Sequence, residues 1–162
     1  MVRRSVPEHA RAIGLVPSGV FVLTAEYEGL RAGLLVHWVQ QAGFDPPLMT
    51  VAVPKGQTIG PLIRDAHAFA LCQVARGDRL LERKFMSEEM PAGDPFISLE
   101  TVTLATGAPV LTRALAAFDC RVVRHLDFES DHEFFVGEVV AARILDREGR
   151  PAVHLRENGL GY

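Results

Sequence analysis

Short apolar runs separated by turn residues follow one another along most of this chain. Residues 19–25 form a near-continuous β-favouring run, which predicts a strand buried on both faces. Glu28 and Gly29 favour a tight turn, so residues 30–39 are predicted to return as the second strand of a hairpin. The first β elements of the chain are therefore two antiparallel neighbours.

Prolines and a helical pattern then interrupt the β segments. Residues 45–47, Asp-Pro-Pro, are expected to end regular pairing, because proline removes a backbone donor from the ladder. Residues 48–53 predict a third strand. Thr58 is placed to cap a helix over residues 59–66, whose apolar positions keep helical spacing. A further strand is predicted at residues 68–74.

The second half of the chain predicts a helix, a loop and a long hairpin. Asp78 begins a helix that ends at Phe85, and the polar residues 86–94 predict a surface loop. Further strands are predicted at residues 101–105, 114–129, 133–145 and 151–155, the last of them closing the sheet. Hairpin-type connections favour an antiparallel barrel over a doubly wound sheet. We therefore predict a mainly β fold with a few short helices, formed as a single domain by residues 1–162.

Composition argues against several classes of function. The net charge is −3, and 17 basic side chains are scattered among 20 acidic ones, so no basic face for nucleic acid is predicted. No apolar run reaches the length of a membrane span, and the N-terminus lacks the apolar core of a secretory signal, so a cytoplasmic location is expected. Cys72 and Cys120 lie in apolar strand segments, which favours two buried reduced thiols over a disulfide.

Common catalytic motifs are absent from the sequence. It contains no glycine-rich phosphate loop, no Cys-x-x-Cys or His-Glu-x-x-His, and no Gly-x-Ser-x-Gly elbow. No two of its six histidines have metal-ligand spacing, so no metal site is predicted. If the protein is an enzyme, a bound cofactor is expected to carry the chemistry.

Residues 55–58, Lys-Gly-Gln-Thr, lead from a strand into a helix and have the composition of an anion site. Gly56 lets a ligand approach the backbone, Lys55 brings a positive charge, and Thr58 lies where a helix presents unpaired amides. The alternative is a solvated lysine beside a threonine that only caps its helix. On these four residues alone, that alternative is favoured.

Two dipeptides, His37-Trp38 and Asp131-His132, are further candidates. Trp38 could stack on an aromatic ligand, although a single tryptophan more often fills a core or an interface. His37 alone could be a surface or hydrogen-bonded histidine. His132, at the tip of the long hairpin, could donate a proton or hydrogen bond to a reacting ring, but the same turn can also serve solubility alone.

The order of the motifs along the chain is more specific than any one of them. The segments are Gly-Val-Phe-Val-Leu-Thr from Gly19, residues 33–41, Phe-Asp-Pro-Pro-Leu from Phe44, Val-Pro-Lys-Gly-Gln-Thr from Val53, Gly-Ala-Pro-Val-Leu from Gly107, and Asp-His-Glu-Phe-Phe-Val-Gly-Glu-Val from Asp131. This order resembles the flavin reductase-like family, the FMN-binding split-barrel proteins, along nearly the whole chain. His-Trp-Val-Gln-Gln and the Pro-Ala-Val-His-Leu ending particularly resemble the flavoredoxin-type branch and the flavin reductase modules fused to flavodiiron proteins.

The resemblance implies a Greek-key split β-barrel that forms a homodimer, with FMN (FAD as a second option) at or near the subunit interface. The cofactor-binding residues it implies are Leu35, Val36, His37, Trp38, Val53, Lys55, Thr58, Lys84 and Phe85. The first four would line the flavin largely through backbone groups, and Lys55 and Thr58 would hold its phosphate. His132 would lie at the nicotinamide side of the flavin and is the catalytic candidate.

The function implied by the resemblance is that of an FMN-dependent NAD(P)H:flavin oxidoreductase. Hydride would pass from NADH or NADPH to flavin, and electrons then to free flavin or an acceptor protein. Two alternatives remain: a non-catalytic FMN-binding electron-transfer or accessory flavoprotein, and a homologue that binds another flat ligand such as haem or has lost its ligand. Many members have Thr at the position of Leu35 and Ser-Ser at His37-Trp38, so hydrogen bonds to flavin must differ here or use the main chain.

Overall fold

Antiparallel strands make up most of the structure, a computed structural model that describes residues 5–86 and 93–161. Its helices are α1 (Glu8–Gly14), α2 (Ile59–Ala66) and α3 (Arg79–Phe85). Its strands are β1 (Ser18–Gly19), β2 (Phe21–Tyr27), β3 (Leu30–Val36), β4 (Val39–Phe44), β5 (Pro47–Pro54), β6 (Ala68–Gln73), β7 (Thr101–Val102), β8 (Val110–Leu111), β9 (Ala116–Asp127), β10 (His132–Ile144) and β11 (Val153–His154). The predicted mainly β fold with a few short helices is confirmed. None of the helices described is long and apolar enough to cross a membrane.

The main sheet curls because its two edge strands are consecutive in the chain. Seven strands form this sheet in the order β3-β2-β6-β9-β10-β5-β4, and all neighbours are antiparallel. If this sheet were flat and open, its two edge strands would lie about 29 Å apart, the sum of six inter-strand spacings of about 4.8 Å. Only His37 and Trp38 separate the two edge strands, and three Cα steps span at most about 11 Å. The result is a barrel open along one seam, which we define as the junction of β3 and β4 at His37 and Trp38.

The first predicted hairpin is confirmed. β2 and β3 meet at Glu28 and Gly29, whose φ angles of 49° and 82° are both left-handed, as a tight hairpin turn requires. β2 is buried on both faces over most of its length, as predicted. Leu23 belongs to a core that the sheet shares with α2, whereas the neighbouring Val22 belongs to a second core that the sheet shares with α3.

The predicted second strand is corrected by the structure. β3 ends at Val36 and β4 begins at Val39, so residues 30–39 contribute to strands on opposite edges of the sheet. The Trp38 carbonyl accepts a hydrogen bond from Ala52 N at 3.0 Å, which anchors the seam to β5. The sequence prediction failed because this largely apolar run contains no turn residue to mark the break.

The Pro-Pro corner joins two strands, whereas the sequence predicted that it would end pairing. Phe44 of β4 pairs with Pro47 of β5, so the two residues between them form a hairpin turn. Proline is compatible with the first residue of a strand, where one missing donor does not disrupt the ladder. The third predicted strand is thus confirmed and begins one residue earlier.

The last predicted strand does not close the main sheet. β11 pairs with β1 in a separate two-stranded sheet, with Ser18 opposite His154 and Gly19 opposite Val153. The strand predicted at residues 101–105 is limited to β7, which pairs with β8. Most of the loop predicted at residues 86–94 lies outside the described residues.

Gly33 allows α3 to pack closely on β3. A Cβ at Gly33 would lie 2.5 Å from Phe85 and 3.2 Å from Phe96, so only glycine admits both rings. The two phenyl rings contact each other with centroids 5.6 Å apart. Asp78 caps α3 as predicted, accepting a hydrogen bond from Leu81 N at 3.3 Å. Helix α3 is therefore fixed beside β3.

Both cysteines are buried free thiols, as predicted. Burial raises the pKa of Cys72 to about 12 and that of Cys120 to about 12. Since the thiolate is the reactive form, neither cysteine is a candidate nucleophile.

Asp119 holds the loop between β7 and β8 against the sheet. This fully buried carboxylate accepts hydrogen bonds through Oδ2 from Ala105 N at 2.7 Å and Thr106 N at 2.8 Å, and through Oδ1 from the Thr106 hydroxyl. Asp119→Asn replaces one acceptor oxygen with a donor, so we expect the free energy of unfolding to fall by about 1–3 kcal/mol. Urea unfolding of Asp119→Asn is compared with that of Asp65→Asn, a control variant in which the same change is made at an exposed carboxylate of α2. Equal midpoints for the two variants would contradict the prediction.

Candidate functional site

A cavity of about 380 Å³ lies beside the seam. Its apolar lining consists of Val20, Leu34, Leu35, Pro54, Met86 and Val153. Its polar lining consists of His37, Gln57, Glu82 and His154. The end of β3, the loop from β5 to α2, the last turn of α3 and β11 meet around it. An apolar cavity of this size with a few polar groups has the character of a small-molecule site.

Two stacked histidines form one side of the cavity. The rings of His37 and His154 have centroids 4.0 Å apart and planes 10° from parallel. Burial, with smaller contributions from His154 and Arg156, lowers the pKa of His37 to about 4. Burial and then Arg156 lower the pKa of His154, while Glu82 acts in the opposite direction. Both imidazoles are therefore neutral at pH 7.

The loop from β5 to α2 offers groups suited to an anion. Gly56 has a φ of +84° and open space on its side-chain face. Thr58 precedes the first turn of α2, which has no acidic side chain, and its hydroxyl makes no capping hydrogen bond among the described residues. Lys55 pairs with Asp127 at 2.5 Å, and this bond lowers the pKa of the Asp127 carboxyl. Because the same loop lines the cavity, a ligand there can extend an anionic group to this helix end.

The tip of the β9–β10 hairpin brings His132 beside that loop. His132 lies opposite Pro54 in the strand register, and Lys55 N donates to the Asp131 carbonyl at 2.9 Å. The buried His132 ring places Nδ1 2.8 Å from Asp131 Oδ1, a contact that lowers the pKa of the Asp131 carboxyl. The same ring also contacts Trp38, at a centroid distance of 4.5 Å. Asp131 and Trp38 thus fix the orientation of this imidazole.

Four of the predicted cofactor-binding residues lie at or beside the cavity. They are Leu35, His37, Lys55 and Thr58. The first two line it directly, and the other two belong to the loop that borders it. These are the residues from which the structure builds one candidate site.

The other predicted residues have different surroundings. The side chains buried in the two cores are those of Val36, Val53 and Phe85. Lys84 donates from Nζ to the Ile97 carbonyl at 3.2 Å. Trp38 contacts His132 on its ring and has the Arg156 guanidinium 5.3 Å from its ring centroid. None of these five side chains is among those that line the cavity in the described part of the chain.

Sequence reasoning missed several residues that line the cavity. Glu82 lies on α3, and Met86, four positions later, directly follows the last residue of that helix, so both reach the same side of the cavity. Leu81 and Phe85, the buried positions of this helix, could have given its phase. His154 is separated from His37 by most of the chain, and nothing local indicates that the two rings meet.

The comparisons with known proteins agree with this geometry. Residues 13–159 match the flavin reductase like domain. The chain belongs to the flavin reductase-like family. This family of flavoprotein oxidoreductases is the one that the motifs resemble, so that prediction is confirmed.

Relatives of this flavin reductase-like chain include much longer proteins. It is 35% identical over 153 residues to Diflavin flavoprotein A 1 of Synechocystis sp., an alignment that covers 94% of this chain and 26% of that protein. The chain spans about a quarter of the length of the curated relatives it matches. It thus corresponds to one part of such a diflavin flavoprotein.

Solved structures show that the split-barrel fold is shared. NADH:FAD oxidoreductase SgcE6 of Streptomyces globisporus C-1027 has a TM-score of 0.83 at 23% identity, covering 96% of this chain and 95% of that one. It has also been solved in complex with NAD and FAD fragments. Flavoredoxin from Methanosarcina acetivorans has a TM-score of 0.73 at 22% identity, covering 91% of this chain and 75% of that one.

The residues of the flavin reductase-like cavity fit a flavin. Apolar side chains on several sides suit a flat aromatic ring, and a few polar groups can meet its polar edge. His154 Nε2 is buried and has no hydrogen-bond partner within residues 5–86 and 93–161. The amides at the start of α2 and the Lys55 side chain suit a phosphate. A ligand with an aromatic ring at one end and a phosphate at the other matches both parts.

Proposed function

We propose that this domain binds FMN in the cavity beside the seam and reduces flavin with NADH or NADPH. The cavity carries the proposal, because it joins an apolar, ring-sized space to a helix N-terminus without an acidic first turn. Family membership supports the same conclusion. The loop at Lys55 can meet a terminal phosphate, as in FMN, or an internal one, as in FAD, and FAD remains the second option.

The chain's own residues bind and orient the cofactor and the nucleotide, and the cofactor supplies the redox chemistry. When bound, FMN would supply a ring able to take up a hydride from nicotinamide nucleotide and to pass the electrons on to free flavin or an acceptor protein. Leu35 and the stacked imidazoles exclude water from part of the ring site. Lys55 and the amides of α2 hold the phosphate.

His132 is the proposed catalytic residue. Its orientation by Asp131 at 2.8 Å and its place opposite Pro54, which lines the cavity, support a role beside the nicotinamide. From this position an imidazole can hold a proton or a hydrogen bond at the reacting rings. The solved complex of SgcE6 with NAD and FAD fragments supports nicotinamide nucleotide as the co-substrate.

A second candidate function is electron transfer without turnover of nicotinamide nucleotide. The observation that favours it is the diflavin flavoprotein relatives, in which a region like this chain accounts for about a quarter of the protein. In that setting the domain would hold FMN and exchange electrons with a partner protein.

We also propose that the domain forms a homodimer. Phe44, at the tip of the β4–β5 hairpin, is 90% exposed. It borders a groove lined largely by apolar side chains, including Leu48, Phe118 and Val139. An exposed aromatic ring beside an apolar groove supports association with a second copy.

Anaerobic titration tests the proposed function. The protein is saturated with FMN, freed of excess flavin, and mixed with NADH or NADPH while the flavin absorbance is followed. Loss of the flavin band, at a rate that rises with nucleotide concentration, is the expected result. A yellow protein that neither nucleotide bleaches would contradict the reductase and favour electron transfer. A protein that takes up no flavin would contradict both.

A further inference from the structure

His154, on the short strand β11, is in contact with the cavity although no motif assigned it a role. We propose that His154 is a ring-contacting residue of the flavin site, and that His37 and His154 form a wall of two stacked imidazoles against which the bound ring lies. This inference rests on the proposed function, since it needs a flavin in the cavity. It adds a positioning group from the opposite end of the chain.

The hydrogen-bond state of His154 supports contact with a ligand. Its Nε2 is buried without a partner in the described part of the chain, and an unsatisfied buried polar atom costs free energy. The side chain lines the cavity, so a ligand there is the group within reach. The polar edge of a flavin has carbonyl acceptors and one N–H donor, so it can pair with a neutral imidazole in either tautomer.

The geometry of the histidine pair also supports this role. The 4.0 Å centroid distance and 10° interplanar angle make His37 and His154 a nearly parallel stack. Such a stack presents a firm, flat edge to the cavity. β11 is otherwise held to β1 by only two residue pairs, so the stack also ties this strand to the seam.

Charged groups around the two imidazoles oppose their protonation. The charged groups that act on the pair are Arg156 in the C-terminal segment and Glu82 on α3. Arg156 makes a second positive charge unfavourable, and burial adds to this for both rings. Because the wall is neutral in the binding state, proton uptake by either imidazole competes with flavin binding. Binding should therefore weaken as the solution is acidified.

Calorimetric titration with riboflavin and FMN tests the role of His154. His154→Phe keeps a stacking ring and removes both nitrogens, and we expect it to raise the Kd of each flavin by about three- to tenfold. The affinity for the two ligands should fall by the same factor, because His154 contacts the flavin ring and not the phosphate. His154→Gln, which keeps a polar group near the Nε2 position, should recover much of the affinity. His9→Phe, the same change at an exposed histidine of α1, is the matched control and should leave both Kd values unchanged.

The pH dependence provides a readout that a merely structural residue would not change. Riboflavin is used because it has no phosphate to titrate. The Kd for riboflavin at pH 5, divided by the Kd at pH 7.5, should exceed one in the wild-type protein. In His154→Phe this ratio should be closer to one. Nuclear magnetic resonance of the wild-type His154 ring, which should shift when riboflavin is added, gives a test that needs no variant.

The outcomes separate this inference from the proposed function. If the wild-type protein binds flavin and His154→Phe binds it equally well at both pH values, His154 has only a structural role and the inference is overturned. If His154→Phe does not fold, an unshifted His154 ring signal at riboflavin saturation overturns it instead. If the wild-type protein binds neither flavin, the proposed function itself fails.

Discussion

Replacing Lys55 with alanine is expected to raise the Kd for FMN by about 10- to 100-fold and to change that for riboflavin by less than about twofold. The loss reflects one charge-assisted contact with the phosphate. The loss of affinity is larger because Asp127, which pairs with Lys55 at 2.5 Å, would then lie near the FMN phosphate without a cation to balance its charge. Calorimetry with the two flavins at one fixed salt concentration measures the difference, since screening weakens exposed charges.

Two further variants sharpen the test of the phosphate site. Asp127→Asn removes the competing carboxylate and releases Lys55, so FMN should bind at least as tightly as it does to the wild-type protein. Arg11→Ala removes an equal charge from an exposed position of α1 and should have no effect. Equal weakening of FMN and riboflavin by Lys55→Ala would contradict a phosphate role, as would unchanged FMN affinity.

Replacing His132 with alanine is expected to slow the reduction of bound FMN by NADH or NADPH by about 100-fold. The Kd for FMN should change little, because the His132 side chain contacts Asp131 and Trp38 and is not among the side chains that line the cavity. Anaerobic stopped-flow absorbance at saturating nucleotide measures the rate of reduction.

His132→Phe distinguishes proton or hydrogen-bond chemistry from packing. It keeps a ring against Trp38 and removes both nitrogens, so it should be as slow as His132→Ala. Recovery of the rate in His132→Phe would show that the ring only supports Trp38. A rate in His132→Ala equal to that of the wild-type protein would rule out the catalytic assignment.

Local patterns predicted those parts of the fold that local interactions determine. The turn at Glu28 and Gly29, the cap at Asp78 and the helix over residues 59–66 are all confirmed. Each depends on residues within one or two turns of chain. The long β9–β10 hairpin is confirmed for the same reason.

Pairing between strands far apart in the chain could not be predicted from local patterns. The break at His37 and Trp38 arises because the sheet curls until its edges meet, and no neighbouring residue encodes that closure. The pairing of β11 with β1 joins the two ends of the chain, and the sequence contains no register signal for it. Both errors concern the same region, the seam, where the cavity lies.

The candidate site shows the same division between local and long-range information. The loop residues alone favour a solvated lysine and a helix cap, and it is the family resemblance that implied a phosphate role for Lys55 and Thr58. The structure places that loop at the cavity. Glu82 was missed because the helix phase alone does not show what its exposed face meets; the cavity forms only where α3 packs on β3, through the close approach of Phe85 to Gly33. His154 was missed because its contact with His37 depends on the seam.

Methyl resonances can test directly whether flavin occupies the cavity beside the seam. The protein, labelled at leucine and valine methyl groups, is titrated with riboflavin, whose ring current shifts nearby methyl signals. With flavin in the cavity, we expect large, saturable shifts for the cavity methyls of Leu35 and Val153, and small ones for Leu48 and Val139 in the separate apolar groove. Shifts confined to the groove residues, or no saturable shift at all, would contradict this location of the flavin.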